Sequence, residues 1–258
     1  MEAKPVKKYS APALEKGLDI LELLSKNSTA YSTSTIAEIL GRSNAEIYRM
    51  ILVLEQRGYI EKSEDIDGYQ VTRKLLQLGT ENEPIKDILE YARPIMRELA
   101  EKTSMSCHIA VESQEQIVVI SRVETPSVMS YSVRVGYRRP ILFSASGRIL
   151  FAFQNADKKE SMLKRLKKHH LEVEIKNFVN DCKKVSKQGF FKGDSAYVQG
   201  VTDISYPIID NDHAVATLTI PFIQRIPETT TVDEVVEDLK HAANELSKAL
   251  TYGIVRKL

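Results

Sequence analysis

The hydrophobic period of the N-terminal third changes from a helical to a strand-like pattern, and no other feature of the sequence restricts the fold as much. Three short stretches carry apolar residues at spacings of three and four, which is typical of helices with one buried face. They are Leu14, Leu18, Leu21 and Leu24, then Ile36, Ile39 and Leu40, then Ile47, Met50, Ile51 and Leu54. Strand-like segments at residues 59–62 and 69–72 flank a turn at residues 65–68. Three helices and a hairpin predict a winged helix-turn-helix.

The ends of these helices are marked by capping residues. Ser34 or Thr35 can cap the second helix, and Gly41 can end it in a left-handed conformation. Ser43 or Asn44 can cap the third helix. The sequence therefore predicts a tight turn between the second and third helices.

The start of the third helix is the predicted DNA-reading surface. Its apolar stripe of Ile47, Ile51 and Leu54 leaves the first turn on the opposite, accessible face. A recognition helix presents this part to the major groove, where Asn pairs with adenine and Arg with guanine. Basic residues in and after the hairpin can contact phosphates. The predicted DNA-binding residues are Ser43, Asn44, Ala45, Tyr48, Arg49, Lys62, Arg73 and Lys74.

The charge balance does not favour a strong general attraction to nucleic acid. The net charge is +1, and residues 1–80 contain eleven basic and eleven acidic side chains. DNA binding would therefore depend on where single charges lie. Glu46, in the third helix, would repel phosphates unless it accepted a hydrogen bond from a cytosine amine. A helix-turn-helix that contacts another protein without binding DNA remains an open alternative.

After a polar stretch at residues 79–84, the pattern predicts an α+β fold class, with a mainly antiparallel sheet and helices packed against it. The first helix of this part has Pro94 inside it and a wide apolar face, which is a candidate dimer contact unless it is buried within the chain. That face consists of Ile85, Ile88, Leu89, Ile95 and Met96. Strands are predicted at residues 105–111, 116–122, 129–135, 201–209 and 214–222, and helices at residues 144–153, 158–169, 177–187 and from 231 onward.

Two clusters of small and polar residues are candidates for a ligand site. Ser144, Ala145 and Ser146 stand at a strand-to-helix junction, where free backbone N–H groups favour an anion. The alternative is that Ser144 is only a helix cap. On a later strand, Asp203 and Ser205 share a face with Val201, so the carboxylate is either solvated or lines a polar cavity.

Signatures of enzymes, metal centres and membrane proteins are missing from the sequence. Ser146 does not lie in G-x-S-x-G, and Cys107 and His108 point to opposite faces of a predicted strand. Two cysteines are too few for a disulfide scaffold, and no apolar run reaches the roughly 18 residues of a membrane span. We expect a cytoplasmic protein with no catalytic residue, metal or cofactor. An enzyme with Cys107 or Ser146 as nucleophile is the alternative, and it would need an adjacent base.

An ordered set of short segments covers nearly the whole chain. It comprises residues 13–21, 36–37, 48–49, 54–60 and 75–79, then residues 92–94, 106–111, 134–136, 145–148, 189–190 and 207–208. In this order and spacing the sequence resembles the IclR-type bacterial regulators, the isocitrate lyase regulator family. Arg42 and Glu46 depart from the family's pattern in the recognition segment, and Asp203 stands where cysteine is frequent.

The resemblance implies a winged helix at residues 10–80, a linker helix at residues 81–103 and a GAF-like effector domain at residues 104–258. The implied protein is a ligand-responsive transcriptional regulator, a homodimer or dimer of dimers, that binds operator DNA and a small carboxylate or sugar acid. The family's pocket corresponds to Ser144, Ala145, Ser146, Asp194, Asp203 and Ser205. Because Asp203 replaces the frequent cysteine, a simple keto acid is not expected. Asp203 could instead accept hydrogen bonds from a hydroxyl-rich ligand or from a cationic group, and Ser205 would support either.

Overall fold

The computed structural model describes residues 11–27, 29–63, 66–80, 83–226 and 230–254. The chain divides into two compact units between residues 82 and 83. The first unit contains helices α1 (Pro12–Ser25), α2 (Thr33–Leu40) and α3 (Asn44–Gln56), strands β1 (Ile60–Lys62) and β2 (Tyr69–Val71), and helix α4 (Lys74–Thr80). The two strands pair antiparallel. This order confirms the predicted winged helix-turn-helix.

One small core holds the first unit together, and it corrects part of the predicted stripe of α1. Its fully or nearly buried members are Ile20, Leu24, Ile36, Ala37, Ile47, Ile51, Ile60 and Tyr69. Leu14 and Leu18 are instead 63% and 48% exposed. The prediction for them was wrong because periodicity defines a stripe but not the length over which neighbouring elements cover it.

A side-chain cap and a left-handed glycine set the two ends of α2, and backbone hydrogen bonds connect its start to the hairpin. Ser32, rather than Ser34 or Thr35, caps α2, since its Oγ accepts a hydrogen bond from the backbone N–H of Thr35 at 3.2 Å. Gly41 ends α2 with φ of +61°, as predicted. The hairpin is tied to the start of α2 by two backbone bonds between Tyr31 and Tyr69, of 3.1 and 2.8 Å. The predicted turn at residues 65–68 begins at residue 65, which lies outside the described residues.

The second unit has three layers around a six-stranded antiparallel sheet with strand order β5-β4-β3-β8-β7-β6. The strands are β3 (Cys107–Ser113), β4 (Gln116–Val123), β5 (Arg138–Pro140), β6 (Phe191–Asp194), β7 (Val201–Asp210) and β8 (His213–Ile223). The helices are α5 (Glu83–Thr103), α6 (Ala145–Ala152), α7 (Ala156–Leu166), α8 (Glu172–Gln188) and α9 (Val232–Thr251). Helices α5 and α9 cover one face of the sheet, and α6, α7 and α8 cover the other. The α+β fold class is confirmed.

The apolar face of α5 is filled from within the chain. Ile88, Ile95 and Met96 are buried in the core between the sheet and α9. For these residues the alternative to a dimer contact, burial within the chain, is therefore the one that holds. The side chain of Ile85 lies outside the described residues. Pro94 sits on the exposed side of α5, which continues through it.

Residues 129–135 do not form the predicted strand. Their alternation of apolar and polar residues is typical of a strand, but β4 pairs with the short β5 instead. No strand of the described ranges pairs with the segment, so it runs as a loop, and its side chains contribute to a cavity on the α6 side of the sheet. No helix of the described residues is long and apolar enough to cross a membrane.

Candidate functional site

The first unit carries a groove, here called the wing groove, between the starts of α2 and α3 and the hairpin. It encloses about 630 Å³. It is lined by Ser32, Thr33, Ser34, Asn44, Ala45, Tyr48, Lys62, Asp67, Gly68 and Tyr69. The fold thus brings Lys62 of the hairpin beside the exposed first turn of α3. The hydroxyl groups at the start of α2 also line the groove, and the sequence interpretation did not include them among the DNA-binding residues.

Glu46 is engaged inside the domain rather than presented to a partner. Ser43 and Glu46 form a reciprocal capping box at the start of α3. The Glu46 carboxylate also pairs with the Lys16 ammonium. The hydrogen bonds from Lys16 and Ser43 lower the pKa of Glu46 from 4.5 to about 2. Because the carboxylate has a cationic partner, its repulsion of phosphates is weaker than the sequence indicated.

The remaining predicted DNA-binding residues fall into two groups. Arg49 and Arg73 are exposed. Lys74, in contrast, donates a hydrogen bond to the backbone carbonyl of Arg57, and its ammonium lies 4.9 Å from the centre of the Tyr59 ring. The Lys74 charge therefore stabilises the end of α3, and its contact with DNA stays a prediction.

In the second unit, a cavity of about 400 Å³ opens between the sheet, the start of α6 and two loops. The loops are residues 131–137, before β5, and residues 195–198, before β7. The sheet contributes Ile117 and Val119 from β4, His108 from β3, Thr219 and Pro221 from β8, and Asp203 from β7. Ser144, Ala145 and Ser146 line the cavity at the start of α6.

Three buried hydroxyl groups form a chain that ends at this cavity. Ser205 and Thr219 share a hydrogen bond of 2.7 Å between hydroxyl oxygens, and Thr219 and Ser146 share one of 3.1 Å. Ser205 is fully buried and does not line the cavity. The chain could run in either direction. If Ser146 donated to Thr219 and Thr219 to Ser205, the buried Ser205 O–H would have no acceptor among the described residues, which costs about 1–3 kcal/mol. The favoured direction runs from Ser205 through Thr219 to Ser146, so the Ser146 O–H is directed to the cavity.

His108 is paired in register with Thr219. The sequence interpretation considered it only as a possible partner of Cys107 and did not place it at the ligand site. His108 is 7% exposed and lines the cavity. The described part of the chain offers its ring no hydrogen-bond partner. Burial lowers the pKa of His108 from 6.5 to about 4, so the ring is neutral at physiological pH and has one donor and one acceptor.

Arg139 brings a positive charge to the cavity that no motif indicated. Its Nε and Nη1 atoms are buried, and neither has a hydrogen-bond partner within the described ranges. The guanidinium lies over the ring of Tyr197, and the Tyr197 ring meets that of Tyr137 edge-on with centroids 6.4 Å apart. Burial lowers the pKa of Arg139, but an arginine remains charged in a protein. This leaves N–H groups free for a ligand.

Asp203 faces the same cavity, and Ser195 is the residue that most stabilises its charged form. Burial raises the pKa of Asp203, while the hydrogen bond from Ser195 and the charges of Arg139 and Arg148 oppose that change. Asp194 is exposed and paired with Thr202, whereas its neighbour Gly193 is paired with Asp203. Because adjacent strand residues point to opposite faces, Asp194 lies outside the cavity, which corrects the prediction for it.

Comparison with known proteins identifies the chain. The model of the bacterial transcriptional regulator IclR C-terminal domain matches residues 85–248, and that of the IclR helix-turn-helix domain matches residues 13–64. The chain belongs to the IclR family. It is similar to the transcriptional regulator KdgR of Escherichia coli strain K12, with 24% identity over 94% of each chain.

Solved structures of IclR proteins share this fold. The Thermotoga maritima IclR structure has a TM-score of 0.70 and 25% identity, covering 93% of this chain and 98% of its own. An IclR homologue of Microbacterium hydrocarbonoxydans, solved in complex with 4-hydroxybenzoate, has a TM-score of 0.76 and 19% identity, covering 92% and 98%. The latter likeness concerns the fold alone.

Membership of the IclR family establishes a transcriptional regulator with a DNA-binding helix-turn-helix and an IclR C-terminal domain. The relatives are regulators and repressors, which confirms the prediction that the protein is not an enzyme. The alternative with Cys107 as nucleophile also disagrees with its environment. Burial raises the pKa of Cys107 to about 12, so the reactive thiolate is not formed at neutral pH.

Proposed function

We propose that this IclR-type regulator binds operator DNA through the wing groove and that a small carboxylate or sugar acid in the cavity of the second unit controls this binding. The observation that carries the proposal is the pair of buried, unpartnered N–H groups of Arg139. A buried charged donor without a partner is unfavourable. A ligand carboxylate that accepts a charge-assisted hydrogen bond from either of these N–H groups would offset that cost.

The start of α6 adds further donors to the same cavity. The first backbone N–H groups of a helix have no intrahelical acceptor. That of Gly147 is taken by the Ser144 Oγ at 3.0 Å, which leaves those of Ala145 and Ser146 beside the cavity. Arg139 and these N–H groups therefore favour an anion. Asp203 lines the cavity as an acceptor, and Ser205 supports the Ser146 hydroxyl from behind.

On the DNA side, we propose that Asn44, Ala45 and Tyr48 face the bases and that Lys62 contacts phosphates. Arg49 and Arg73 extend the contact beside the wing groove, while Ser43 and Lys74 stabilise the two ends of α3. Two observations support this proposal: the side chains are exposed, and α3 and the hairpin place them around the same groove. Tyr48 is 51% exposed, and Lys62 lines the same groove from the hairpin. The regulator would act in the cytoplasm. It would bind as a dimer or dimer of dimers, because one winged helix contacts few base pairs.

Strand β3 offers a route from the ligand to the rest of the chain. His108 faces the cavity, and its neighbour Cys107 donates a hydrogen bond from Sγ to the backbone carbonyl of Met96 in α5 at 3.5 Å. Helix α5 begins where the chain divides into its two units. A ligand that prefers one position of β3 and α5 over another would change the affinity for DNA.

The ligand site is tested by Arg139→Leu, with Arg138→Leu as a matched control. Arg138 is its exposed neighbour in β5 and donates to Gln116 at 3.1 Å. Calorimetry with a panel of small acids should show at least about a tenfold loss of affinity for Arg139→Leu, equal to about 1.4 kcal/mol, and no loss for Arg138→Leu. Equal affinities in the two variants would refute the carboxylate site.

The DNA surface is tested with a duplex that the wild-type protein selects from a random pool. Arg49→Ala should weaken binding of this duplex by about 1–3 kcal/mol if Arg49 reads a base. Lys62→Ala should weaken selected and random duplexes alike and reduce the slope of log affinity against log salt by about 1. The control is Lys26→Ala, at the end of α1 and outside the wing groove. An unchanged salt slope in Lys62→Ala would contradict the assignment.

A further inference from the structure

We infer that the cavity of the second unit binds an α-amino acid with an apolar side chain, whose carboxylate contacts Arg139 and whose ammonium contacts Asp203. The inference rests on the proposed function, because it names the class of small carboxylate that the cavity takes. Three features of the cavity carry it. Two opposite charges lie close together, the charges around the cavity offset each other, and much of the remaining lining is apolar or aromatic.

The two charged groups form a single polar region of the cavity. The guanidinium of Arg139 lies over the ring of Tyr197, and Asp203 accepts a hydrogen bond from Ser195, which lies two residues before Tyr197. The charges of Arg139 and Asp203 are close enough to stabilise each other. No ion pair joins them among the described residues, where the buried Nε and Nη1 atoms of Arg139 also have no hydrogen-bond partner. A ligand with adjacent negative and positive groups can therefore contact both.

The charges around the cavity favour a ligand without net charge. Arg139 and Asp203 offset each other, Arg148 is paired with a carboxylate of α8 at 3.5 Å, and the ring of His108 is neutral. Arg134 also lines the cavity, but it is exposed and water screens its charge. A plain carboxylate ligand would be attracted by Arg139 and repelled by Asp203, and partial burial strengthens both interactions. An ammonium on the neighbouring carbon of the ligand replaces that repulsion by attraction.

The surroundings of Asp203 favour an ammonium over a hydroxyl. Burial makes the charged form of Asp203 unfavourable, and the hydrogen bond from Ser195 offsets only part of this cost. A ligand hydroxyl would donate a hydrogen bond to the carboxylate, whereas an ammonium would donate one and also supply the opposite charge. Tyr131 lies close enough to interact with Asp203, and an aromatic ring attracts a cation. An amino acid should therefore bind more tightly than the hydroxy acid of the same shape.

The rest of the cavity indicates the side chain of the ligand. Besides its charged and hydroxyl-bearing groups, the cavity is lined in part by Ile117, Val119, Val133, Phe143 and Pro221. Ile117 is the register partner of Arg139, so apolar surface begins directly beside the cationic group. An apolar ligand side chain would remove this surface from water, which favours binding. The combination predicts an aliphatic or aromatic α-amino acid.

The test measures by calorimetry how the full-length protein binds amino acids and their analogues. The probes are L-leucine, L-methionine, L-phenylalanine and L-tryptophan, each with the 2-hydroxy acid and the unsubstituted acid that carry the same side chain. At least one amino acid should bind, and at least about tenfold more tightly than both of its analogues. Absence of binding by all four amino acids, or equal affinity for an amino acid and its hydroxy acid, overturns the inference.

An isomer of leucine tests whether the two ligand charges must be adjacent. In 6-aminohexanoate the ammonium and the carboxylate stand at opposite ends of the molecule. It should bind at least about tenfold more weakly than the amino acid of highest affinity. Equal or tighter binding of 6-aminohexanoate contradicts the inferred contact of adjacent groups with Arg139 and Asp203.

Asp203→Asn isolates the contact with the ammonium, and Asp194→Asn is the matched control. Both substitutions remove one carboxylate charge, from adjacent strands, but Asp194 is exposed and outside the cavity. Asp203→Asn should lower the affinity for the amino acid at least about tenfold without lowering that for the unsubstituted acid. Asp194→Asn should change neither affinity. Equal losses for both ligands in Asp203→Asn would indicate a purely structural role and overturn the inference, as would no loss for the amino acid.

Failure of this inference can be distinguished from failure of the carboxylate site. A hydroxy acid that binds as tightly as its amino acid, and loses affinity in Arg139→Leu, overturns the inference and leaves the carboxylate site in place. Binding that does not depend on Arg139 overturns both.

Discussion

The buried ring of His108 makes the stability of the second unit depend on pH in a way that one substitution can isolate. The folded chain binds a proton at His108 only near pH 4, whereas an unfolded histidine does so near its ordinary pKa of 6.5. Between these values the unfolded state binds more protons, so the free energy of unfolding falls as the pH falls. At about 1.4 kcal/mol per pH unit, the loss from pH 6.5 to pH 4 is about 3 kcal/mol.

The assay is denaturant unfolding followed by circular dichroism at several pH values between 7 and 4. Carboxylates also titrate toward the acid end of this range, so the informative quantity is the difference between wild type and His108→Gln. His108→Gln keeps a polar side chain in the cavity but removes the titrating ring. Its free energy of unfolding should lose about 3 kcal/mol less than that of the wild type over the interval.

The matched control is His169→Gln, which removes an exposed histidine from the same unit. It should follow the wild-type curve. If His108→Gln and His169→Gln show the same pH dependence as the wild type, then His108 is not held neutral by burial, and the electrostatic description of the cavity is refuted.

Two further predictions concern the local geometry on which the two sites depend. Gly147→Ala should lower the free energy of unfolding by about 1–3 kcal/mol, and with it the melting temperature. The reason is that the added Cβ would lie 2.1 Å from the backbone oxygen of Ile141. Gly17→Ala, with nothing within 4 Å, should instead be neutral or stabilising, and equal melting temperatures for both variants would contradict the packing argument. Ser43→Ala should destabilise the first unit by about 1 kcal/mol through loss of the capping box with Glu46, measured by thermal unfolding, and no change would show that the cap does not stabilise α3.

Several features of the candidate sites follow from residues that are close in sequence. The cap of α3 by Ser43 and the left-handed Gly41 could be predicted because each depends on contacts within about four residues. The wing groove could be anticipated in part, since the stripe of α3 determines which residues remain accessible. The contribution of Lys62 to the same groove depends on the bridge between Tyr31 and Tyr69, which no local pattern indicates.

The sequence by itself determined most of the longer elements and their order, through the helical and strand periods, the caps and the small residues at the start of α6. It did not determine the short strands β5 and β6, and it placed a strand at residues 129–135 that the structure does not have. Only the tertiary structure decided which of the elements meet. Arg139 and Tyr197 come together from distant segments, and His108 reaches the cavity because Cys107 takes the other face of β3. The sequence pattern also could not decide three further features. Leu14 is exposed, the apolar face of α5 is buried within the chain, and burial lowers the pKa of His108. The physical reason is that burial and charge interactions depend on distances between atoms far apart in the chain, whereas periodicity records only neighbours within a few residues.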